Sequence, residues 1–521
     1  MDLKPGGEEH VIVCLGFGRS KSDASRMRSL YCSAKGSGRA LEAVKKSWDS
    51  YLSAIKVKTP DRDFNTMVNV WNQYQCKTTF DWSRYISFYE NGEGRGMGTR
   101  DSCQDTLAVA AHMPKRVKSR IFQILSTTQF RTGDCYHQFF PLGGRGDLKG
   151  FSDDHLWLIQ MVYSYICETG DFGILREKTP YADSAAKETV YTHLKRAINY
   201  TERMKGRHGL PLILTADWND TLHLWMEAKK PESVLTAELY VYGLKLMEKM
   251  ALIMNKRAEA RLYCGRAERL SDIINKKCWD GNWYYRGFGS EIIGTKKSKR
   301  ARIFLNSQTW AVISGAAERY KAEKCMDSVA KLLASEEGVK KVWPPFDKYD
   351  QTYGLISRYN KGRKENGIFA HANAWAIIAE ACLGRPDIAY RYYRNILPIK
   401  YNERAEILKA EPYVYSQTIC SNDSINPGEA ANSWLTGTAS WMFVAATQYI
   451  LGIKPEPEGL RIEPRIPYEW QGYRMKRVFR GCEYDIEVKR TGKKAFFLDN
   501  RLISGNLVKP AGKKFASVRV E

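Results

Sequence analysis

From about Asp63 to Gly452, apolar residues recur at helical spacing almost without interruption. Roughly a dozen segments of ordinary helix length are separated by Gly, Pro and Asn-rich breaks. In "DDHLWLIQMVYSYICETGD", Leu156, Ile159, Val162, Tyr163 and Ile166 share one face, Asp153 or Asp154 can cap the start, and Gly170 marks the stop. Further helices are expected to begin near Asp101, Ala185, Ala237, Arg257, Ser307, Ala372 and Leu435. So many amphipathic helices must bury their faces on one another. Long Gly-rich, aromatic loops between alternate pairs suggest a toroid of helical hairpins with the site at one loop end.

The flanks read differently. Residues 8 to 17, "EEHVIVCLGF", read as one strand that lacks partner strands before it, and Ser37 to Lys56 has the spacing of a linker helix, with Leu41, Val44, Trp48, Tyr51, Leu52 and Ile55 on one face. After Gly452, apolar and polar residues alternate between Pro and Gly breaks, as in short antiparallel strands. The expected organisation is residues 1–60, 61–453 and 454–521, mainly α with a small C-terminal β-domain.

Composition narrows the function classes. The 14 Trp and 30 Tyr suit a ligand with flat faces and polar edges, such as a sugar, although a large core also uses them. The 12 cysteines contain no C-x-x-C and none is at metal-ligand spacing with the 8 histidines, so they read as reduced thiols and no metal is expected. The N-terminus lacks the pattern of a signal peptide and no stretch is long enough to span a membrane, which makes the cytoplasm the simplest compartment. A net charge of +23 and the run "KKSKRAR" (Lys296 to Arg302) raise a nucleic-acid reading. The basic residues are scattered and carry no recognised nucleic-acid motif, so a solvated loop is preferred.

Four stretches concentrate polar, aromatic and Gly residues beyond what a core needs. In "YQCKTTFDWSRY" and the following "ENGEGRGMGTRDSCQD", glycines let the backbone close on a ligand while Arg95 and Asp101 can bond hydroxyls; a simple turn with Asp101 as N-cap is the alternative. In "ADWND", Asp217 or Asp220 could cap a helix from Thr221, or one could be an acid whose proton is retained by burial beside Trp218. The local pattern leaves both open. In "KENGIFAHANAW", "EPYVYSQ" and "NSWLTGTASW", His371, Gln417 and Thr436 offer donors, and Gly437 exposes a backbone N–H near a helix start.

Taken in order with "WNQYQ", "YHQFFPL", "FSDDHLW" and the tail "LGIKPEPEGLRIEPRIP", these stretches resemble the inverting glycoside phosphorylases of glycoside hydrolase family 94 over about Val11 to Val488. The resemblance implies an N-terminal β-sandwich, a helical linker, an (α/α)6 barrel and a C-terminal β-domain. It makes Asp220 the general acid and Trp218 its neighbour in the sugar site. Arg95, Asp101 and Lys364 match positions that hold the sugar, and Arg84, His371, Gln417, Thr436 and Gly437 match positions around phosphate. It implies phosphorolysis of a β-linked glucose disaccharide, cellobiose favoured, to α-glucose 1-phosphate and a free sugar. Inorganic phosphate would be co-substrate, no other cofactor is implied, and a homodimer is the family's state. Phosphate, being already an anion, replaces the base-activated water of a hydrolase.

The chain departs from the family in two ways. "MDLKPGGEEHVIVCLG" matches only the last strand of the β-sandwich, which leaves a residual N-terminal strand, and "KENGIFAH" is one Gly short of the common form. Alternatives are phosphorylases for chitobiose, laminaribiose, cellobionic acid or short β-glucans, or an inactive remnant that binds sugar.

Overall fold

The computed structural model describes residues 3–84, 96–140, 146–492 and 494–521. It divides into two compact units, residues 1–56 and 57–521.

In the first unit, Lys21–Tyr31 and Ala34–Ser53 are helices whose starts are capped by the Ser20 and Ser33 hydroxyls. Residues 8–17 form no strand, contrary to the expectation from their apolar run. Val11, Val13, Leu15 and Phe17 are exposed. An extended segment becomes a strand only when a second strand takes its backbone hydrogen bonds, and none does so here. The linker helix begins three residues earlier than its pattern predicts, and its stripe residues Leu41 and Val44 are exposed.

In the second unit two kinds of helix alternate along the chain. Thr99–Val109, Asp154–Thr169, Val234–Ile253, Leu305–Ile313, Ala370–Cys382 and Thr438–Val444 are buried on nearly all sides. Between them lie helices with one buried stripe, such as Val190–Arg203, which buries Tyr191, Leu194, Ala197 and Ile198 and turns Lys195 and Arg196 outward. Helices buried all round belong to an inner layer and striped ones to an outer layer. Each inner helix packs on the next, and Thr438–Val444 packs back on Thr99–Val109, so the inner layer closes into a ring. Gly170 ends Asp154–Thr169 as expected, at φ 72°, with its N–H donated to the Ile166 carbonyl.

Indoles fill the axis of the ring. Trp157, Trp310, Trp375 and Trp441 come from four inner helices, with ring centroids between 5.2 and 6.4 Å apart. Trp218, from a loop, tilts onto Trp375 at 4.5 Å and closes one end.

Two expected helix starts are absent. The segment from Ala185 lies within a strand, Ser184–Thr189, and its helix begins at Val190 behind a Thr189 cap. No helix starts at Thr221; only a short 3-10 turn, Leu224–Met226, intervenes before Ser233 caps Val234–Ile253. The aspartates of "ADWND" are therefore not helix caps.

The C-terminal strands pack within this same unit. Gly472–Phe479 and Cys482–Lys489 form an antiparallel hairpin with alternating burial. Phe515–Val520 then pairs in parallel with Cys482–Lys489, a departure from the wholly antiparallel expectation. The buried Arg477 of the hairpin bonds Glu168 on an inner helix.

Replacing Trp375 by Ala should cost about 3–5 kcal/mol, the range for deleting a large buried aromatic. The exposed Trp82 should cost under about 0.5 kcal/mol by the same change. Urea unfolding of both variants checks this; equal losses would show that the axial cluster is not the core.

Candidate functional site

The inner helices begin at one end of the ring, and most of them are entered from a very short strand. Met97–Gly98, Glu232–Ser233, Ile303–Phe304 and Ile368–Phe369 each lead directly into an inner helix. The first residues of these helices and the loops before them carry the candidate site. Helix N-termini concentrate free N–H groups and favour anions, so this end of the ring suits a polar site.

The "ADWND" loop is pinned from both sides. The Ser152 N–H donates to the Ala216 carbonyl at 3.0 Å, and the Ile356 N–H donates to the Thr221 carbonyl at 2.9 Å. Within the loop the two aspartates differ sharply. Asp217 is fully buried and accepts from Arg286 at 2.6 Å, from the Ser233 hydroxyl at 2.6 Å and from the Asn219 N–H at 2.9 Å. Burial alone would raise its carboxyl, but Arg286 and these donors outweigh burial and hold it below the ordinary carboxylate value. Asp217 is thus a fixed anion. The Asp220 side chain is 49% exposed and meets Arg100.

Arg100 lies in the first turn of Thr99–Val109 and is buried. Besides Asp220 it donates to Asp153 at 3.2 Å and to the Asp217 carbonyl at 3.2 Å. Asp153 in turn accepts from the Trp157 indole N–H at 2.8 Å. Burial pushes the Asp153 carboxyl up to about 7, against the pull of Arg100 and with the charge of Asp154 adding to the rise.

Trp218 is buried, with its ring edge-on to Phe369 at 5.2 Å and to His371 at 5.0 Å. The Lys341 ammonium sits 4.7 Å from both the Trp218 and Phe369 ring centres and pairs with Glu365. Burial lowers its pKa well below the ordinary lysine value, with Arg286 adding to the fall and Asp220 opposing it.

Beyond Trp218 three of the predicted phosphate residues meet. Arg84 is buried and makes a two-pronged bond to Asp105 at 2.7 and 2.9 Å, with Asp101 3.7 Å away and the Leu435 carbonyl as a further acceptor. A Cβ on Gly437 would stand 2.5 Å from His371 Cε1, 2.8 Å from its Nδ1 and 3.5 Å from Arg84 Nη2. Only glycine leaves room there. Thr436 is buried beside them, accepting from the Thr438 N–H at 3.1 Å.

The network fixes the state of His371. The Trp441 indole N–H, which can only donate, reaches Gln104 Oε1 at 2.7 Å. That oxygen lies 3.1 Å from His371 Nε2, so Nε2 carries the proton and donates. Burial holds the imidazole well below its ordinary pKa, Arg84, Arg100 and Lys341 reinforce this, and Asp101 opposes it. The ring is neutral and presents Nδ1 toward Gly437 as an acceptor. His371 is thus a donor through Nε2, to Gln104, and also offers a lone pair at Nδ1.

The remaining predicted residues are less central. Arg95 lies outside the described residues. Gln417, in the strand Ser416–Ile419, accepts from the Asn432 amide at 3.1 Å. Lys364 is exposed at φ 50° and lines a cleft of about 300 Å³ with Tyr359, Arg363, Thr418 and Glu429. Sequence reasoning passed over Arg100, Lys341, Asp153, Glu365 and Gln104. Arg100 and Gln104 stand inside the quoted "GTRDSCQD" and Glu365 inside "KENGIF", whereas nothing in "KKVWPP" marks Lys341. Among the described residues, no group of three or more His, Cys, Asp or Glu is placed to hold a metal. No helix there is long and apolar enough to cross a membrane.

The sequence profile of the glycosyl hydrolase 94 superfamily catalytic domain matches residues 47–452. The chain belongs to this superfamily. It is 34% identical to an N,N'-diacetylchitobiose phosphorylase of Vibrio proteolyticus, over 97% of this chain and 66% of that one. It is 33% identical to a solabiose phosphorylase of Paenibacillus borealis, over 87% and 58%. The chain thus spans about two thirds or less of the length of these relatives. In fold it is similar to a GH78 family rhamnosidase of Bacillus sp. GL1, with TM-score 0.58 and 13% identity over 90% of this chain and 44% of that one. It is also similar to a bacterial glucoamylase solved with acarbose, with TM-score 0.52 and 12% identity over 83% and 62%.

Gly437 has φ −66°, which alanine adopts freely, so Gly437→Ala isolates the side-chain clash with His371. Because the added methyl presses on the buried His371 ring, the variant should lose about 1–3 kcal/mol of stability, the usual cost of overpacking, and still fold. It should lose at least about tenfold in affinity for inorganic phosphate by titration calorimetry, roughly one hydrogen-bonded anion contact. Unchanged phosphate binding would place the anion elsewhere.

Proposed function

We propose that this chain carries the catalytic machinery of an inverting glycoside phosphorylase that cleaves a β-linked disaccharide with inorganic phosphate. The observation that carries this reading is the pairing of a half-exposed carboxyl, Asp220, with a buried cradle of Arg84, His371, Thr436 and Gly437 one indole away. The closed ring of inner helices with its outer layer supports an (α/α)6 barrel as the frame.

In this reading Asp220 protonates the leaving oxygen as the glycosidic bond breaks. Phosphate attacks the anomeric carbon from the opposite face, and the sugar leaves as an α-1-phosphate. Arg84 supplies charge and the Gly437 N–H a donor, while His371 Nδ1 accepts the hydrogen of a hydrogen phosphate ion. That orients one unprotonated oxygen for attack and requires no catalytic base. Asp101, which lies beside Arg84, and Trp218 would line the sugar site. Lys341 and Glu365 would line it as well, and their mutual pairing leaves the pocket without an isolated charge.

Cellobiose is the first substrate to test, on the strength of the sequence motifs. N,N'-diacetylchitobiose is the second, because relatives bearing that substrate in their name align over nearly the whole chain.

Purified protein incubated with each disaccharide and phosphate should release a sugar 1-phosphate in step with the free sugar. Release of sugar that ignores phosphate would make the chain a hydrolase. Turnover of no β-disaccharide would support a sugar-binding remnant. Asp220→Asn should lower kcat by at least about 10²-fold, as loss of a general acid does, while Asp217→Asn should chiefly lower stability.

A further inference from the structure

A general acid that works near neutrality has to keep its proton, yet Asp220 sits against a guanidinium. An arginine this close normally lowers a carboxyl pKa by about one to three units. Left alone, Arg100 would strip Asp220 of the proton that the proposed reaction needs. The structure places a second, buried carboxylate on the far side of the same guanidinium. Asp153 approaches Arg100 Nη1 with both oxygens, at 3.2 and 3.4 Å, while Nη2 meets Asp220.

We propose that Asp153 is a positioning residue for Asp220, acting through Arg100 by taking up part of the guanidinium charge that would otherwise fall on the catalytic carboxyl. This rests on the reading of Asp220 as general acid.

The geometry is built for such sharing. The Asp217 carbonyl, 3.2 Å from Nη1, holds the guanidinium in place, and the Trp157 indole N–H, 2.8 Å away, fixes the Asp153 carboxylate. Both Asp153 and Arg100 are buried, so their mutual screening is not diluted by water. The other charged groups nearby are largely paired among themselves. Asp154 bonds His137 at 3.0 Å, Asp217 bonds Arg286 at 2.6 Å, and Lys341 bonds Glu365. Tyr359 also faces Asp220. Asp154 and Asp101 add to the field on Arg100, but Asp153 and Asp220 are the two carboxylates whose side chains bond it. Burial pushes the Asp153 carboxyl up to about 7, against the pull of Arg100 and of the Trp157 N–H, so both of those bonds help to keep it charged. Of the two carboxylates, Asp220 is the one that reaches solvent and substrate.

The sign follows directly. Removing the Asp153 charge leaves Arg100 uncompensated beside Asp220, so Asp220 gives up its proton at lower pH. In phosphorolysis, where Asp220 must be protonated, the alkaline limb of kcat/KM should move down by roughly one pH unit in Asp153→Asn. In the synthetic direction, where Asp220 must be ionised, the acid limb should move down by a similar amount. Asp153→Glu, which keeps the charge, should return both limbs toward the wild-type positions. Trp157→Phe, which removes the N–H that holds the Asp153 carboxylate together with part of the axial indole packing, should shift both limbs the same way by less; read by the position of the limbs rather than by rate, it serves as the test if Asp153→Asn does not fold. A uniform fall in rate at all pH values with unmoved limbs would reduce Asp153 to a structural role and overturn the proposal. The underlying reading fails separately: if Asp220→Asn retains wild-type turnover, Asp220 is not the acid, whatever the Asp153 variants do.

Discussion

A ring of six mutually packed helices leaves a channel along its axis, and an unfilled channel would forfeit much of the contact energy of a close-packed interior. Here four tryptophans from the ring fill it, and Trp218 caps it from a loop. The indole is suited to this because it combines the largest side-chain volume with a single polar atom. Two of those N–H groups are used to anchor the site: Trp157 holds Asp153 and Trp441 holds Gln104. The plug and the site are therefore one structure. The apolar bodies of the rings settle the packing, and their N–H edges orient the polar residues stacked above them.

This arrangement explains how a surface carboxyl comes to be held by deeply buried charge. Each inner helix delivers its first turn to the same end, so residues far apart in sequence converge. Arg100 meets Asp153 and Asp220 across 53 and 120 residues. A buried ion pair contributes little net stability, because desolvation offsets attraction, but it fixes position, since breaking it strands a charge. The site uses this property repeatedly. Arg84 with Asp105 and Arg286 with Asp217 are two-pronged or multiply bonded, and each sets the direction of a loop or helix start.

What was legible in the sequence follows from the range of the interactions. The helix carrying Leu156, Ile159, Val162, Tyr163 and Ile166 and its Gly170 stop are local patterns and appear in the structure, but that helix is buried on nearly all sides rather than along one face. The strand expected at residues 8–17 is absent because an apolar run such as Val11 to Leu15 describes only one side of a ladder. The helix expected at Thr221 failed because Asp217 bonds the Asn219 N–H in its own tight turn, and an Asp that closes a turn has the same sequence signature as one that caps a helix. His371 and Gly437 were found through motifs, but the direction of the His371 proton depends on Trp441 acting through Gln104, a chain of contacts that no motif encodes. Lys341 stood in an unremarkable "KKVWPP", and only the tertiary fold lays it on Trp218.

The charge balance of the site bears on how it would select an anion. The chain as a whole carries +23, yet the cations nearest the cradle are each matched by a carboxylate: Arg84 by Asp105, Arg100 by Asp153 and Asp220, Arg286 by Asp217, and Lys341 by Glu365. An anion entering this pocket gains little from net positive charge. Its binding must rest instead on directed groups: the remaining guanidinium edge of Arg84, the Gly437 N–H, the Thr436 hydroxyl and the lone pair of His371 Nδ1. A set of donors with one acceptor discriminates by shape and protonation rather than by charge. On the proposed reading, hydrogen phosphate, with one hydrogen to give and three oxygens to receive, would fit it, whereas sulfate at neutral pH has no hydrogen for Nδ1 and would set two lone pairs against each other.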